Sequence, residues 1–135
     1  MITPEQAADI RARNDALMAW VDSIRGKSGW ASYRPEDKPA QVPDVTNDER
    51  SALEVFDFVT NPPDKYFLYV NETNRTATTW TGDVLGQVSF GREYRDSFGG
   101  RRVPITVRAI NGRKYHGTYF KSAGNYARIK MAKQT

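Results

Sequence analysis

Residues 102–120 read RVPITVRAINGRKYHGTYF, and this stretch decides the fold class. Apolar and polar side chains alternate from Val103 to Ala109, which is the period of two that a half-buried strand requires. Asn111-Gly112 then interrupts the alternation, and this dipeptide is the strongest short signal for a β-hairpin with a type I′ turn. A second strand follows from Arg113 to Phe120. The stretch therefore predicts two antiparallel strands joined by a tight turn.

The period of two continues on both sides of this hairpin. Short turns separate four further predicted strands, which cover residues 66–72, 76–80, 84–91 and 125–131. Gly86 is expected to mark a bulge or bend. Residues 92–100 lack the alternation and are predicted to form an irregular, charged loop. From residue 64 onward, the sequence predicts an antiparallel meander of about six strands.

Two helices are predicted before the strands. Thr3-Pro4-Glu5-Gln6 supplies a hydroxyl N-cap, a proline at the first helical position and a glutamine that can close a capping box. The apolar residues that follow share one helical face, with Trp20 beside it: Ala7, Ile10, Leu17, Val21 and Ile24. This face can serve as core, as a contact with another subunit, or as both.

A second capping box, Thr46-Asn47-Asp48-Glu49, begins the second helix, and Pro62-Pro63 ends it. The expected buried face of this helix consists of Ala52, Leu53, Phe56 and Val59. Between the helices, prolines recur every fourth residue, which predicts an extended connector over residues 30–45 that Trp30 and Tyr33 hold against the fold. The predicted fold class is α+β, with two N-terminal helices and the meander in a single domain, residues 1–135.

The composition excludes several classes of chemistry. The 135 residues include no cysteine, so no disulfide scaffold, thiolate zinc site, iron–sulfur cluster or cysteine nucleophile can form. The single histidine, His116, excludes a multi-histidine metal site. No apolar run approaches the ~20 residues of a membrane span, and the N-terminus lacks the pattern of a secretion signal. We expect a soluble, cytoplasmic protein without a membrane partner, a cofactor or a metal.

Charge is divided unevenly along the chain. Residues 1–64 carry a net charge of −5, and residues 65–135 carry +9. The basic half also holds most of the aromatic residues. Cations interleaved with rings suit nucleotides or nucleic acids, because guanidinium groups pair with phosphates and bases stack on rings. The alternative is that the rings pack between strands and the charges form a solvated outer face.

Catalytic residues are scarce in the basic half. His116 lies in a predicted strand with no serine or carboxylate beside it, which is typical of a surface histidine. Histidine, lysine and arginine together can cleave RNA phosphodiesters, so an RNase-like enzyme centred on His116 stays open. The carboxylates Glu72, Asp83, Glu93 and Asp96 do not cluster as a magnesium site requires.

Three arginine settings are candidates for ligand binding. Arg92, Arg95, Arg101 and Arg102 flank the loop that contains Tyr94 and Phe98, and this loop suits either a flexible lid or a solvated strand connection. Arg128 shares a strand face with Tyr126 and Lys130, where neighbours at i and i+2 lie ~7 Å apart and can meet adjacent phosphates. Arg75 lies in a predicted tight turn, where simple solvation is the alternative.

Residues 80–99, WTGDVLGQVSFGREYRDSFG, and residues 107–129, VRAINGRKYHGTYFKSAGNYARI, carry a family resemblance. They resemble the phage-encoded anti-Thoeris sponges of the first-described type. Members of this family capture the cyclic ADP-ribose isomers that bacterial TIR-domain immune enzymes make, and they do so without cleaving them. The resemblance extends over residues 65–135 at motif level, whereas the earlier residues match only in helix order.

The resemblance implies a function, an assembly and four ligand-binding residues. Phe98 stacks on the purine, Asn111 hydrogen-bonds polar groups of the ligand, and Arg128 with Arg75 clamps the pyrophosphate. The Asn111 assignment has an alternative, since the hairpin alone favours Asn-Gly. The implied assembly is a homo-oligomer built from dimers, up to a hexamer, in the cytoplasm of the infected bacterium. Some members also hold cyclic oligonucleotides at a separate interface.

Other functional classes stay open at this point. A small basic nucleic-acid-binding module accounts for the +9 half equally well. A virion or assembly protein without a ligand would use the N-terminal apolar face to pack its subunits. Salt dependence separates the first alternative from the sponge, because a polyanion site releases several counterions and weakens steeply with salt.

Overall fold

The computed structural model describes residues 1–28, 38–121 and 125–133. These residues form two helices, α1 (Pro4–Ser28) and α2 (Asn47–Thr60), followed by strands. The strands are β1 (Lys65–Asn71), β2 (Thr76–Thr78), β3 (Val84–Phe90), β4 (Tyr94–Arg95), β5 (Arg101–Ala109), β6 (Lys114–Phe120) and β7 (Tyr126–Met131). The chain divides into a helical unit, Met1–Leu53, and a barrel unit, Glu54–Thr135. The predicted α+β class with N-terminal helices is confirmed.

Both predicted capping boxes are present in the helical unit. The Thr3 backbone N–H donates to Gln6 Oε1 (2.9 Å), and the Gln6 N–H donates to Thr3 Oγ1 (3.1 Å). Thr46 and Glu49 exchange the same pair of hydrogen bonds at the start of α2, each 3.1 Å long. Each box satisfies two backbone donors that the helix itself leaves unpaired. This reciprocity explains why both starts could be predicted from the sequence.

The core of the helical unit is small. Ile10, Leu17 and Val45 are its buried cluster. Of the predicted α1 face, Ala7 is also buried, whereas Val21 and Ile24 are only half-buried. The expected packing of Trp30 and Tyr33 lies outside the described residues. None of the helices in the described part of the chain has the length and apolar character that crossing a membrane requires.

The meander closes into a barrel. All strand pairs are antiparallel, in the order β3-β2-β1-β7-β6-β5-β4, and β3 also pairs with β5. This additional pairing joins β1, β2, β3, β5, β6 and β7 into a closed six-stranded ring, with β4 as an extra strand on β5. Closure pairs the edges that an open meander would expose.

Two predicted connections differ in detail. Within the Asn111-Gly112 turn only Gly112 has a positive φ (81°), the Gly112 N–H donates to Ala109 O (3.1 Å), and the Ala109 N–H donates to Arg113 O (3.0 Å). This is a type I turn followed by a glycine bulge, so the type I′ prediction is wrong, although the hairpin itself is present. The loop over residues 92–100 is not wholly irregular, because it contains β4.

Two glycines allow the strands of the barrel to approach closely. At Gly117 in β6, an added Cβ would lie 2.1 Å from the backbone oxygen of Arg128 in β7. At Gly86 in β3, it would lie 2.5 Å from the Arg108 oxygen in β5. The β2–β3 register also shifts by one residue beside Gly86, which confirms the predicted bulge. A tightly curved ring of six strands needs such residues without side chains.

The barrel interior holds the main core. Its thirteen buried apolar residues include Phe58 from α2, Leu68 from β1, and Tyr115 and Tyr119 from β6. The Phe58 ring lies 5.1 Å from Tyr66 and 5.8 Å from Tyr115, centroid to centroid. The predicted buried face of α2 is displaced, since its fully buried side chains are Ser51 and Phe58 while Phe56 and Val59 are half-buried.

Candidate functional site

The outer surface of the barrel carries an aromatic–basic face, which we define by Phe67, Tyr69, Phe120, Tyr126 and Arg128. Strand alternation explains its composition, because Leu68, Ala127 and Ile129 point into the core and their neighbours in sequence point outward. Phe67 of β1 pairs directly with Arg128 of β7, and Arg128 pairs with Thr118 of β6. Cross-strand pairing thus brings residues from three strands into one surface patch.

Arg128 is held by rings rather than by a carboxylate. Its guanidinium carbon lies 5.2 Å from the centroid of the Phe67 ring, within cation–π distance. The Phe67 ring stacks on Tyr126 at 5.5 Å, and Tyr126 meets Tyr69 edge-on at 5.9 Å. Among the residues that the structure describes, no carboxylate forms an ion pair with Arg128. The exposed guanidinium therefore keeps its hydrogen-bond donors available for a phosphate.

Arg75 lies at one end of the barrel, which we call the loop end because it carries the β1–β2 turn and the loop over residues 91–100. Arg75 adopts a left-handed conformation (φ 56°) in that turn, and its backbone oxygen accepts a hydrogen bond from the Val88 N–H (2.8 Å). Its side chain borders a cavity of about 270 Å³, together with Glu72, Phe90, Gly91, Glu93, Val103 and Lys121.

Ion pairs surround this cavity. Lys121 Nζ lies 3.5 Å from Glu72 Oε1 and 3.7 Å from Glu93 Oε1, and Arg101 Nε lies 2.9 Å from Glu93 Oε1. The hydrogen bond from Arg101 holds the pKa of Glu93 below its usual range. The cavity therefore presents mixed charge rather than a purely cationic surface.

Phe98 is the most exposed large hydrophobic residue of the loop end, with 94% of its surface accessible. Asp96 organises the loop beneath it, because Asp96 Oδ1 accepts the N–H groups of Phe98 (2.9 Å) and Gly100 (2.8 Å). Asp96 Oδ2 accepts a hydrogen bond from Arg102 Nε (2.6 Å), and this bond is the main cause of a lowered Asp96 pKa. The loop thus exposes the Phe98 ring, while hydrogen bonds to Asp96 hold the backbone beneath that ring.

Asn111 lies at the opposite end of the barrel, in the β5–β6 turn. Its Nδ2 donates to Phe58 O (3.0 Å) and to the Tyr115 hydroxyl (3.2 Å), and its Oδ1 accepts the Arg113 N–H (2.9 Å). The Tyr115 hydroxyl in turn donates to Pro63 O (2.8 Å). Both amide hydrogens of Asn111 are thus engaged in closing this end of the barrel.

Within one chain, the four predicted ligand-binding residues lie in three places. Arg75 and Phe98 share the loop end, Arg128 lies at the centre of the outer face, and Asn111 occupies the far end. Strand register explains the separation, because Phe67, the partner of Arg128, precedes the end of β1 by four residues, roughly 13 Å. Their joint action on one ligand stays a prediction, and it requires a long ligand or residues from two copies.

His116 occupies an outward position on β6. Its Nδ1 lies 3.1 Å from the Thr106 hydroxyl of β5, and the two residues pair across the strands. No group of three or more histidine, aspartate or glutamate side chains among the described residues has the spacing of a metal site. The surroundings of His116 match the predicted surface histidine, and its dispensability for binding stays a prediction.

Phe67 is the functional candidate that reasoning from the sequence missed. The alternation of β7 placed Tyr126 and Arg128 on one face, but only the β1–β7 register shows that Phe67 lies under the guanidinium. A partial signal was available, since Phe67 and Tyr69 alternate with Leu68 and Val70 and must point outward if β1 is half-buried.

Comparison with known proteins identifies no relative of this chain. No protein-family model matches the chain, and neither the curated proteins nor the solved structures include a significant match.

Proposed function

We propose that this chain binds a phosphate-bearing nucleotide on its barrel unit and sequesters it without cleaving it. The observation that carries this proposal is the exposed Arg128 guanidinium, which rests on Phe67 and has no carboxylate partner among the described residues. Cation–π contact fixes the orientation of the guanidinium while its N–H groups stay free. Charge-assisted hydrogen bonds from such a group suit the oxygens of a diphosphate.

The ligand we propose is a cyclic ADP-ribose isomer, and the biological role is phage anti-defence against Thoeris-type signalling. The resemblance of residues 80–99 and 107–129 to the anti-Thoeris sponges supports this choice. The chemistry of the exposed groups agrees with it, because the ligand needs cations for its pyrophosphate and a ring for its purine, and Arg128, Arg75 and Phe98 supply these groups.

We propose that the binding species is a homo-oligomer in the host cytoplasm. The four predicted residues lie in three places on one chain, so two copies can bring together what one copy separates. The helical unit offers a surface for association, because Val21 and Ile24 on the predicted face are half-buried and the adjacent Met18 is 41% exposed. Such partly exposed apolar residues on one helix suit packing against a second copy.

The decisive experiment compares Arg128→Ala with the wild-type protein. We expect affinity for the cyclic ADP-ribose product of a TIR-domain enzyme to fall ten- to a hundredfold, about 1.5–3 kcal/mol, because a charge-assisted contact to phosphate is lost. Thermal stability should change by no more than about 0.5 kcal/mol, since the side chain is exposed. Calorimetry measures the affinity, and mass spectrometry after heat release shows whether the bound nucleotide is intact.

Arg108→Ala is the matched control, because Arg108 is also an exposed strand arginine but lies outside the aromatic–basic face. Its affinity should equal that of the wild type. Phe98→Ala should weaken nucleotide binding more than binding of inorganic pyrophosphate, since only the nucleotide has a base to stack. Equal affinities for the wild type and Arg128→Ala would refute the phosphate contact, and a cleaved product would refute sequestration.

A further inference from the structure

We propose that the aromatic–basic face, extended by Arg102 of β5 and Tyr94 of β4, binds single-stranded nucleic acid, a second binding activity beyond nucleotide capture. The two activities share Arg128 but do not depend on one another. A row of side chains runs across the barrel, and it is longer than a single nucleotide can cover.

The row crosses five strands in register. Tyr69 of β1 pairs with Tyr126 of β7, which pairs with Phe120 of β6. Phe120 pairs with Arg102 of β5, which pairs with Tyr94 of β4. At about 4.8 Å between neighbouring strands, the row spans about 19 Å. One base covers about one ring, so a row of this length matches several successive bases.

Two pairs of neighbours in the row are in direct contact. Tyr126 contacts Tyr69 at 5.9 Å and Phe67 at 5.5 Å, centroid to centroid. The Arg102 guanidinium carbon lies 4.4 Å above the centroid of the Phe120 ring, so an arginine plane continues the row where the rings end. Bases stack on aromatic rings and on guanidinium planes irrespective of sequence.

Cations extend away from the row along β7 and β1, near its Tyr69–Tyr126 end. Arg128 is two residues from Tyr126 on β7, about 7 Å from the row, and Lys130, paired with Lys65 of β1, is about 13 Å from it. A backbone whose bases stack on these rings would meet the cations as it leaves the row in this direction. Strands β1, β6 and β7 contain no aspartate or glutamate. These three strands are therefore complementary to a polyanion, whereas at the β4–β5 end of the row Arg102 is paired with Asp96.

This combination favours a single strand over other polyanions. In a duplex the bases are stacked and paired, so they cannot stack on a row of rings. An acidic peptide could pair its carboxylates with the cations, but it has no bases to stack on the rings. A single strand satisfies both, because it offers phosphates and unstacked bases in alternation.

The test measures fluorescence anisotropy of a labelled twelve-nucleotide oligothymidine with the full chain. With three cations engaged, the slope of log affinity against log salt should be about −2, so affinity falls roughly twentyfold between 50 and 200 mM salt. A duplex of the same length should bind more weakly at every salt concentration. Absence of oligothymidine binding at 50 mM salt, or tighter binding of the duplex, would overturn the proposal.

Tyr126→Ala should weaken oligothymidine binding about 5- to 150-fold, because the central ring of the row is lost. Trp80→Ala is the matched control, since Trp80 is 69% exposed and lies in the β2–β3 connection, outside the row. Tyr126→Leu, with its melting temperature measured alongside, separates loss of stacking from loss of folding. Equal binding by the wild type, Tyr126→Leu and Trp80→Ala would overturn the proposal.

The two proposals fail separately. If the protein binds cyclic ADP-ribose but not oligothymidine, only the nucleic-acid proposal is refuted. A chain that binds oligothymidine but not the cyclic nucleotide refutes only nucleotide capture.

Discussion

In the helical unit, four apolar side chains among the described residues are buried: Ala7, Ile10, Leu17 and Val45. In the barrel unit, thirteen are buried in one cluster. The helical unit instead relies on reciprocal capping bonds and on Arg13, which bonds Asp9 (Nε–Oδ2, 2.9 Å), the Asp44 carbonyl (2.9 Å) and Glu49. Among the described residues, the helical unit thus combines a small apolar core with exposed polar contacts.

The two units should therefore tolerate different kinds of substitution. Burial of apolar area stabilises in proportion to the area removed from water, so the barrel should respond most to lost volume or to steric conflict. Exposed ion pairs contribute little each and depend on charge state, so the helical unit should respond to pH through Glu49, as the loop end of the barrel should through Glu93 and Asp96. Three experiments test this difference between the two units.

The largest effect is expected for Phe58→Ala. Phe58 is 2% exposed and contacts Tyr66 and Tyr115, so truncation leaves a cavity in the barrel core. The free energy of unfolding should fall by about 3–5 kcal/mol, as chemical denaturation measures. Phe56→Ala is the control on the same helix, and its half-buried ring should cost clearly less. Equal losses in the free energy of unfolding for the two variants would contradict the burial of Phe58, rather than Phe56, in the barrel core.

A smaller loss is expected for Gly117→Ala. The added Cβ would lie 2.1 Å from the Arg128 backbone oxygen, so β6 and β7 must move apart, at a cost of about 1–3 kcal/mol. Gly82→Ala is the control, because Gly82 has open space around it but a positive φ of 98°, which costs about 1–2 kcal/mol by backbone strain alone.

The two variants separate steric conflict from backbone strain. Hydrogen exchange should show faster exchange along β6 and β7 in Gly117→Ala and unchanged exchange there in Gly82→Ala. Unchanged exchange in both would mean that the strands have room for a methyl group.

The smallest effect concerns acid and the helical unit. The hydrogen bond from Arg13, followed by that from the Thr46 backbone, lowers the pKa of Glu49 from 4.5 to about 2. A lowered pKa in the folded state means that ionised Glu49 stabilises the fold above pH 4.5. This contribution is lost as the pH falls from about 4.5 to 2.

Glu49→Gln is the matched test, because it keeps the shape of the side chain and removes its charge. Its melting temperature should lie below that of the wild type at pH 7, and the gap should narrow steadily as the pH falls from 4.5 to 2.5. Circular dichroism at 222 nm measures both. A gap that persists unchanged at pH 2.5 would show that the charge of Glu49 contributes nothing.

Prediction from the sequence was most accurate where neighbouring residues act on one another. The two capping boxes, the strand alternation and the bulge beside Gly86 are each set within a few residues. The errors also have local causes that the sequence leaves ambiguous. Asn-Gly is compatible with more than one turn type. In α2, apolar residues are spread over much of the helix surface, so the pattern did not show that Ser51 and Phe58 are its fully buried side chains.

The candidate site was also predicted correctly only where neighbouring residues of one strand are involved. The sequence placed Tyr126, Arg128 and Lys130 on one strand face, because side chains alternate along a strand. It did not place Phe67 under Arg128, because the two are 61 positions apart and only the β1–β7 register joins them. It grouped Arg75, Phe98, Asn111 and Arg128 by resemblance, whereas the barrel separates them along its length.

Local sequence patterns were enough to predict both helices with their starts, six of the seven strands and the basic, aromatic character of the second half, but not β4. The β3–β5 pairing, the closure of the meander and the grouping of rings and cations from three strands in one face became visible in the tertiary structure alone. The physical reason is the range of the interactions. Caps and alternation act over one or two turns of chain, whereas register and closure depend on which distant strands pair and on the glycines that let them approach.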